Sequence, residues 1–366
     1  MPPLFESTGH IACSIGRIPG NIHGCGYPAG QESEGRRDPT KILGIESSCD
    51  ETAAAIVEDG RHLIATSLSS SAQIHAQYGG VVPEVAAREH AMAILPVVDS
   101  VLNLSNLTLN DVDGIAVTQG PGLLGALLIG VTFAKTLAMA LEIPVVGVHH
   151  LQAHLYANAL EEPLHFPALG LLVSGGHTSL LLWNDYLDWD VLGETRDDAA
   201  GEAFDKGSRI LGLGYPGGPE IERLARQAQK RSLRLPVANL GDTLDFSFSG
   251  VKTATKSLWQ NHSDQPEEVA YALQQAVVKA LVGNLEKALA RYRVQHIYIA
   301  GGVSANQGLR DALRHLGEER NISIHIPRIE YCTDNAAMVA ALGYYRLREG
   351  NTLNIFEGPL ATLPLS

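Results

Sequence analysis

Residues 41–71 read KILGIESSCDETAAAIVEDGRHLIATSLSSS, and residues 168–184 read ALGLLVSGGHTSLLLWN. The first stretch predicts a strand at 42–46, a small polar turn at 47–52 and a second strand at 53–58. Asp59-Gly60 then signals a hairpin, with a third strand from about 61 to 68. Sliding the chain by 126 residues lays Leu43-Gly44 on Leu169-Gly170, Ser48 on Ser174 and Thr52 on Thr178. The second stretch therefore repeats the first. Each half also ends alike, as strand, glycine loop and helix: DGIAVTQGPGLLGALLIGVTFAKTLA (113–138) and HIYIAGGVSANQGLRDALRHL (296–316). Helical segments fall between, near 83–102 and 266–292. Two copies of a β-hairpin start and a β-loop-α finish imply a duplicated α/β fold with a cleft between the halves.

The chain has 366 residues, 45% hydrophobic and 18% charged, a soluble globular composition with room for two domains. The apolar stretch GLLGALLIGVTFA (122–134) is too short and glycine-rich to span a bilayer, so it reads as a buried helix and no membrane is expected. Cysteines 13, 25, 49 and 332 are too sparse for a disulfide framework or a CxxC zinc site, which points to a reducing cytoplasm. Residues 1–40 hold many Gly and Pro, two Cys and no amphipathic period. They lack the apolar core of a signal peptide, and Glu6, Glu32, Glu34 and Asp38 are unlike a presequence; a disordered extension outside the fold is expected.

A net charge of −13 excludes a generic nucleic-acid coat, because phosphate binding needs cations. A local patch remains open. IERLARQAQKRSLR (221–234) carries Arg223, Arg226, Lys230, Arg231 and Arg234, and reads either as a solvated helix face or as a phosphate-binding patch.

Glycine loops recur at SSCDET (47–52), QGPGLLG (119–125), VSGGHTS (173–179), YPGGPE (215–220) and AGGVSAN (300–306). Loops at strand ends let backbone N–H groups approach phosphates, so a nucleotide-like ligand is expected. No GxxxxGK[ST] occurs, which excludes a P-loop reading, and the GxGxxG spacings at GPGLLG (120–125) and GLGYPG (212–217) are too weak a signal alone to carry a Rossmann reading. Acids sit beside the loops: Asp50 and Glu51 are the candidate catalytic pair, and Asp198, Glu202 and Asp205 take the spacing of one helix face. In HHLQAHLY (149–156), His150 and His154 are four apart, so both imidazoles project from one face. That spacing fits a metal site or two ordinary helix residues.

Taken together, ILGIESSCDETAAAIV, HAQYGGVVPEVAAREH, TQGPGLLGALLIG, HHLQAHLY, LLVSGGHTSL, DDAAGEAFDK, YPGGP, FSFSGVKTA, AGGVSAN and CTDNAAM follow one another over residues 41–347. In content and order they resemble the bacterial TsaD family, the tRNA threonylcarbamoyltransferases. The resemblance implies the duplicated fold of actin and hexokinase. One lobe would span 41–147 and a second 148–347, whose last helix crosses back to the first; a tail follows at 348–366. It implies transfer of threonylcarbamoyl from threonylcarbamoyl-AMP to the exocyclic amine of the adenosine 3′ of the anticodon, in tRNAs reading codons that start with adenine, releasing AMP. By motif, Leu172, Val173, Ser174, Gly175, Gly176, Asp205, Gly218, Glu222 and Asn306 would bind the adenylate. His150, His154 and Asp334 would hold one divalent metal, iron, with zinc as the alternative. The implied partners are tRNA, a TsaB-like paralogue, for which the helix near 83–102 offers a face, and a TsaE-like ATPase.

Two rival enzymes fit less well. A zinc peptidase of the HExxH type needs Glu directly after its first His, where this chain has Leu151. A small-molecule kinase of the same superfamily would use the phosphate loops but has no need of His150, His154 and Asp334 together.

Overall fold

The computed structural model describes residues 39–365 except 77 and 79, so the expectation for residues 1–38 lies outside the described residues. Thr40, assigned above to the extension, belongs to the fold: its N–H donates to Asp59 Oδ1 at 3.0 Å.

The first half runs β1 (Lys41–Glu46), β2 (Glu51–Glu58), β3 (His62–Ser70), α1 (Ala72–Ala76), α2 (Pro83–Ser105), β4 (Gly114–Gly120), α3 (Leu124–Leu141) and β5 (Val145–His149). Next come α4 (His150–Tyr156), β6 (Ala168–Val173), β7 (Thr178–Asp185) and β8 (Asp188–Glu194). The second half continues with α5 (Ala200–Ile210), α6 (Gly217–Ala225), α7 (Ser249–Asn261) and α8 (Pro266–Leu289). It closes with β9 (His296–Ala300), α9 (Gln307–Arg320), β10 (Ser323–His325) and α10 (Ala336–Arg348). The sheets are ordered β3-β2-β1-β4-β5 and β8-β7-β6-β9-β10, the same topology twice. In each, the first strand pairs antiparallel with the second and parallel with the fourth. The duplication extends to register. Ile42 faces Val57 and Ala168 faces Trp183, both shifted by the 126 residues that align the sequences.

Both faces of the central strands are buried, which is why they read as near-continuous apolar runs. Leu43, Ile45, Ala54, Ile56, Ile115 and Val117 pack on the side of α2 and α3. Leu169, Leu171, Val173 and Leu180 pack beneath the helices of the second half. The inner faces share a third core with α4 and α10. Helix α10 lies on β1, β2, β4 and β5 and touches α4, which in turn contacts β6 and β9. Close approach is what seats it. A Cβ on Gly44 would stand 2.3 Å from the Ala336 carbonyl oxygen, so a larger residue at 44 would push α10 off the strand.

Three local expectations need correction. The apolar helix is longer than 122–134: α3 has 18 residues, enough by length and composition to cross a membrane. Its Ala126, Leu127, Val131 and Ala134 are buried, whereas Leu124, Leu128 and Met139 stay exposed. The basic segment 221–234 is not one helix, because α6 stops at Ala225. The Glu268 carboxylate accepts the N–H groups of Gln229 and Lys230 at 2.9 and 2.7 Å, bonds that take the backbone out of the helical ladder. Finally, Asp198 precedes α5, so only Glu202 and Asp205 of the expected acidic face are helical.

Candidate active site

Helix α4 starts on a histidine cap. His149 Nδ1 accepts from the N–H of Leu151 and Gln152, while its Nε2 donates to the carbonyls of Leu363 and Pro364. Burial pushes this imidazole down to about 4, so it stays neutral and keeps both roles. The next residue along, and the one a turn later, are His150 and His154. Asp334 lies 180 residues beyond His154, directly before Asn335, whose side chain caps α10 by accepting from the Met338 N–H. The start of α10 thus meets one face of α4. Asp334 Oδ1 is 3.5 Å from His150 Nε2 and 3.3 Å from His154 Nε2, and one ligand atom from each residue falls within a 4.8 Å cluster.

Glu46, at the end of β1, completes this cluster from behind, and motif reading missed it. Its carboxylate accepts from Ser48 N–H at 2.6 Å and Thr118 Oγ1 at 2.7 Å, and meets His150 Nδ1 at 3.2 Å. The contact orients the His150 ring so that Nε2 faces Asp334. A carboxylate behind a ligating imidazole is the usual support of a metal site. The one available signal was an acid closing an otherwise apolar strand.

The electrostatics favour a cation. Burial alone would push the His150 imidazole down, but Asp334 and Glu46 outweigh it and raise it to about 9. Burial works against the charge on Asp334 as well, yet His150 and His154 hold it well below the carboxylate range. The field that keeps a proton on His150 is one a dication satisfies with more charge. Two imidazole nitrogens and one carboxylate oxygen form a donor set suited to a first-row transition metal, with coordination positions left for substrate oxygens. The residues fit a divalent metal. Close by, burial and the charges of Asp334, Asp50 and Glu46 push the Glu51 carboxyl up to about 7.

The glycine loops of the second half form a ring next to this centre. His177, in the loop after Ser174, is pushed down by burial and by His150 and His154, so it lies within their electrostatic reach. Gly201 sits so tightly on it that a Cβ would be 2.6 Å from Ser174 O. From the same helix Asp205 accepts the Gly217 N–H at 2.7 Å, and from α6 Glu222 accepts the Gln307 N–H at 3.3 Å. Gly301, at φ +90°, closes the ring: its Cβ position is 2.5 Å from Val173 O. Nothing lies within 4 Å of a Cβ built on Gly175, Gly176 or Gly218, so these backbones face open space. Leu172 and Val173 are buried in β6 and act as the floor beneath them. Asn306 is largely committed: Oδ1 caps α9 through the Leu309 N–H, and Nδ2 donates to Gln274. One lone pair and one N–H remain for a ligand. Tyr215 also escaped sequence reasoning. It is 76% exposed, one residue before the Pro216 that opens α6.

The family model for TsaD, tRNA N6-adenosine threonylcarbamoyltransferase, matches residues 62–341. The chain is 46% identical to the enzyme of that name from Staphylococcus saprophyticus, over 87% of this chain and 94% of the relative. It is 48% identical to the one from Moorella thermoacetica, over 89% and 98%. The chain belongs to the TsaD family. It is accordingly a transferase of tRNA modification, as its relatives are named. More distant solved structures share the fold. HypF from T. kodakarensis superposes with a TM-score of 0.60 at 15% identity, covering 85% of this chain and 48% of that one. Component A of the (R)-2-hydroxyglutaryl-CoA dehydratase from Acidaminococcus fermentans gives 0.51 at 16%, covering 84% and 99%. The TsaD assignment and the duplicated actin-like fold agree with the expectations drawn from the motifs.

Proposed function

We propose that this chain transfers threonylcarbamoyl from threonylcarbamoyl-AMP to the N6 amine of the adenosine 3′ of the tRNA anticodon, with His150, His154 and Asp334 holding one iron ion. The observation that carries this reading is the meeting of these three side chains at one point, together with open backbone at Gly175, Gly176 and Gly218. The open backbones at Gly175, Gly176 and Gly218 bind the phosphate and ribose of the adenylate, with Asp205, Glu222 and Asn306 on the sugar and base. A divalent metal supplies Lewis-acid polarisation of the carbamoyl carbonyl and neutralises phosphate charge. The amine attacks the carbamoyl carbon, the new C–N bond forms and the bond to the AMP phosphate oxygen breaks. The amine proton passes to Glu51, which burial beside Asp50 and Asp334 has brought to about 7, a value suited to a general base at neutral pH.

Partner and compartment follow the same reading. Met92 and Leu95 on α2 and Leu124, Leu128 and Met139 on α3 leave an apolar face on two packed helices, which suits a TsaB-like paralogue. A TsaE-like ATPase and tRNA complete the set, and Cys49 and Cys332 as free thiols suit a reducing cytoplasm. The test is transfer to unmodified tRNA from synthetic threonylcarbamoyl-AMP, reading modified nucleoside and AMP together. Metal-loaded protein that releases no AMP with tRNA and both partner proteins present would refute the proposal.

A further inference from the structure

An acidic chain must still hold an RNA backbone beside a cleft crowded with Glu46, Asp50, Glu51 and Asp334. Most cations near that cleft are already committed. Arg223 and Arg226 of the basic segment pair with Glu220 and Glu222. Lys206 on α5 pairs with Asp198 and Glu202, and Arg196 pairs with Asp245. Helix α7 is different. Its 13 residues, SGVKTATKSLWQN, contain neither Asp nor Glu in a chain with 40 acids. Val251 and Thr255 are buried against the core, whereas Lys252, Thr253, Lys256, Ser257 and Gln260 are exposed. At about 100° per residue these five fall within roughly 140° of one another, so they share a face that offers only uncharged or cationic donors. Neither lysine has a carboxylate within 4 Å among the described residues.

Its position is also defined. Asp197 fastens the start of α7 by accepting from Ser247 Oγ, Phe248 N–H and both N–H and Oγ of Ser249. Three residues on, the Ala200 N–H donates to Thr178 Oγ1, and Thr178 directly follows the Ser174–His177 loop. The start of α7 is therefore tied, through Asp197 and Ala200, to the strand that leaves the Ser174–His177 loop. We infer that the exposed face of α7 binds the phosphate backbone of the tRNA anticodon stem-loop while its adenosine enters the cleft. The inference rests on the proposed tRNA activity and locates where the RNA is held: Lys252 and Lys256 neutralise phosphates, and Thr253, Ser257 and Gln260 add uncharged hydrogen bonds that fix its register.

The experiment measures binding of unmodified tRNA to the full chain by fluorescence anisotropy over a salt series. Three proteins are compared with the parent: K252E/K256E, the milder K252Q/K256Q, and K230E/R234E in the segment after α6. The α7 reversal should weaken binding by more than about tenfold and flatten the log–log salt slope by about one per lysine lost. The Gln pair should fall between it and the parent, and K230E/R234E should bind within about twofold of the parent. Melting temperature and adenylate binding report that each variant is folded, and they should match the parent. Parent affinity and slope in both α7 variants would overturn the surface even if transfer is intact. A parent that binds tRNA with this salt dependence but never transfers would instead refute the proposed activity and leave the surface standing. A parent that binds no tRNA refutes both.

Discussion

Glu46→Gln is the sharpest probe of the metal centre, because it keeps the volume and one acceptor oxygen while removing the charge behind His150. The carboxylate takes three contacts, at 2.6 Å from Ser48 N–H, 2.7 Å from Thr118 Oγ1 and 3.2 Å to His150 Nδ1. A glutamine can still accept one or two of them but turns an N–H toward the third. Loss of charge-assisted hydrogen bonding predicts a stability decrease of about 1.5–3 kcal/mol. The larger consequence is for the metal. His150 Nδ1 then keeps only Ser48 Oγ, at 3.2 Å, as a full partner, so the ring is held less firmly with Nε2 toward Asp334, and loss of such support lowers metal affinity about 10–100-fold, or about 1.4–2.8 kcal/mol. Alanine would remove the acceptor from all three contacts in a buried site and confound folding with binding. The assay is a Co²⁺ or Fe²⁺ titration of metal-free parent and E46Q at pH 7.5, with urea unfolding of the same preparations. A variant that loses stability yet binds metal with parent affinity would show that Glu46 only anchors the turn, and the orienting role would be wrong.

Asp334→Asn and His154→Ala should each lower bound metal and transfer together, as read by elemental analysis beside activity; full occupancy in both would return α4 to an ordinary core helix. Gly301→Ala places a methyl 2.5 Å from Val173 O at a φ of +90°, so it should cost about 1–3 kcal/mol and weaken adenylate binding through the displaced loop. Metal-free protein should lose stability on the alkaline side. The folded His150 imidazole is raised to about 9, so its contribution is complete below the unfolded value near 6.5 and disappears between there and 9, which urea midpoints at pH 6, 7.5 and 9 would reveal. Leu128→Asp on the exposed side of α3 should abolish capture of a TsaB-like partner without lowering the melting temperature, since that side chain is 51% exposed. Undiminished capture would move the partner face elsewhere.

How much of this was legible in the sequence depends on the range of the physics. Strand, turn and strand at 42–58 and again at 168–184 could be read because alternating pairing and turn chemistry act over a few residues, and the same local spacing singled out His150 and His154. The helix pattern of 336–348 is apolar nearly all round, which announces burial but not the partner; long-range approaches such as Gly44 against Ala336 and Gly343 against Ala116 show that it lies on the first sheet. The 221–234 segment failed for a similar reason, since the Glu268 that pulls residues 229 and 230 out of helix belongs to α8. Protonation is the least local property of all. Glu46 and Glu51 are five residues apart in one strand–turn–strand unit, and burial pushes both carboxyls upward. Glu46 nonetheless ends below the ordinary range because His150, 104 residues further on, faces it. Glu51 meets Asp334, Asp50 and Glu46 instead, and rises to about 7. One acid is thereby fixed as the anion that orients a ligand, and the other becomes able to exchange a proton near neutrality. Each assignment needs burial and a side chain from the other half of the molecule, His150 for Glu46 and Asp334 for Glu51, which is why the ESSCDE motif taken alone displays acids but not their roles.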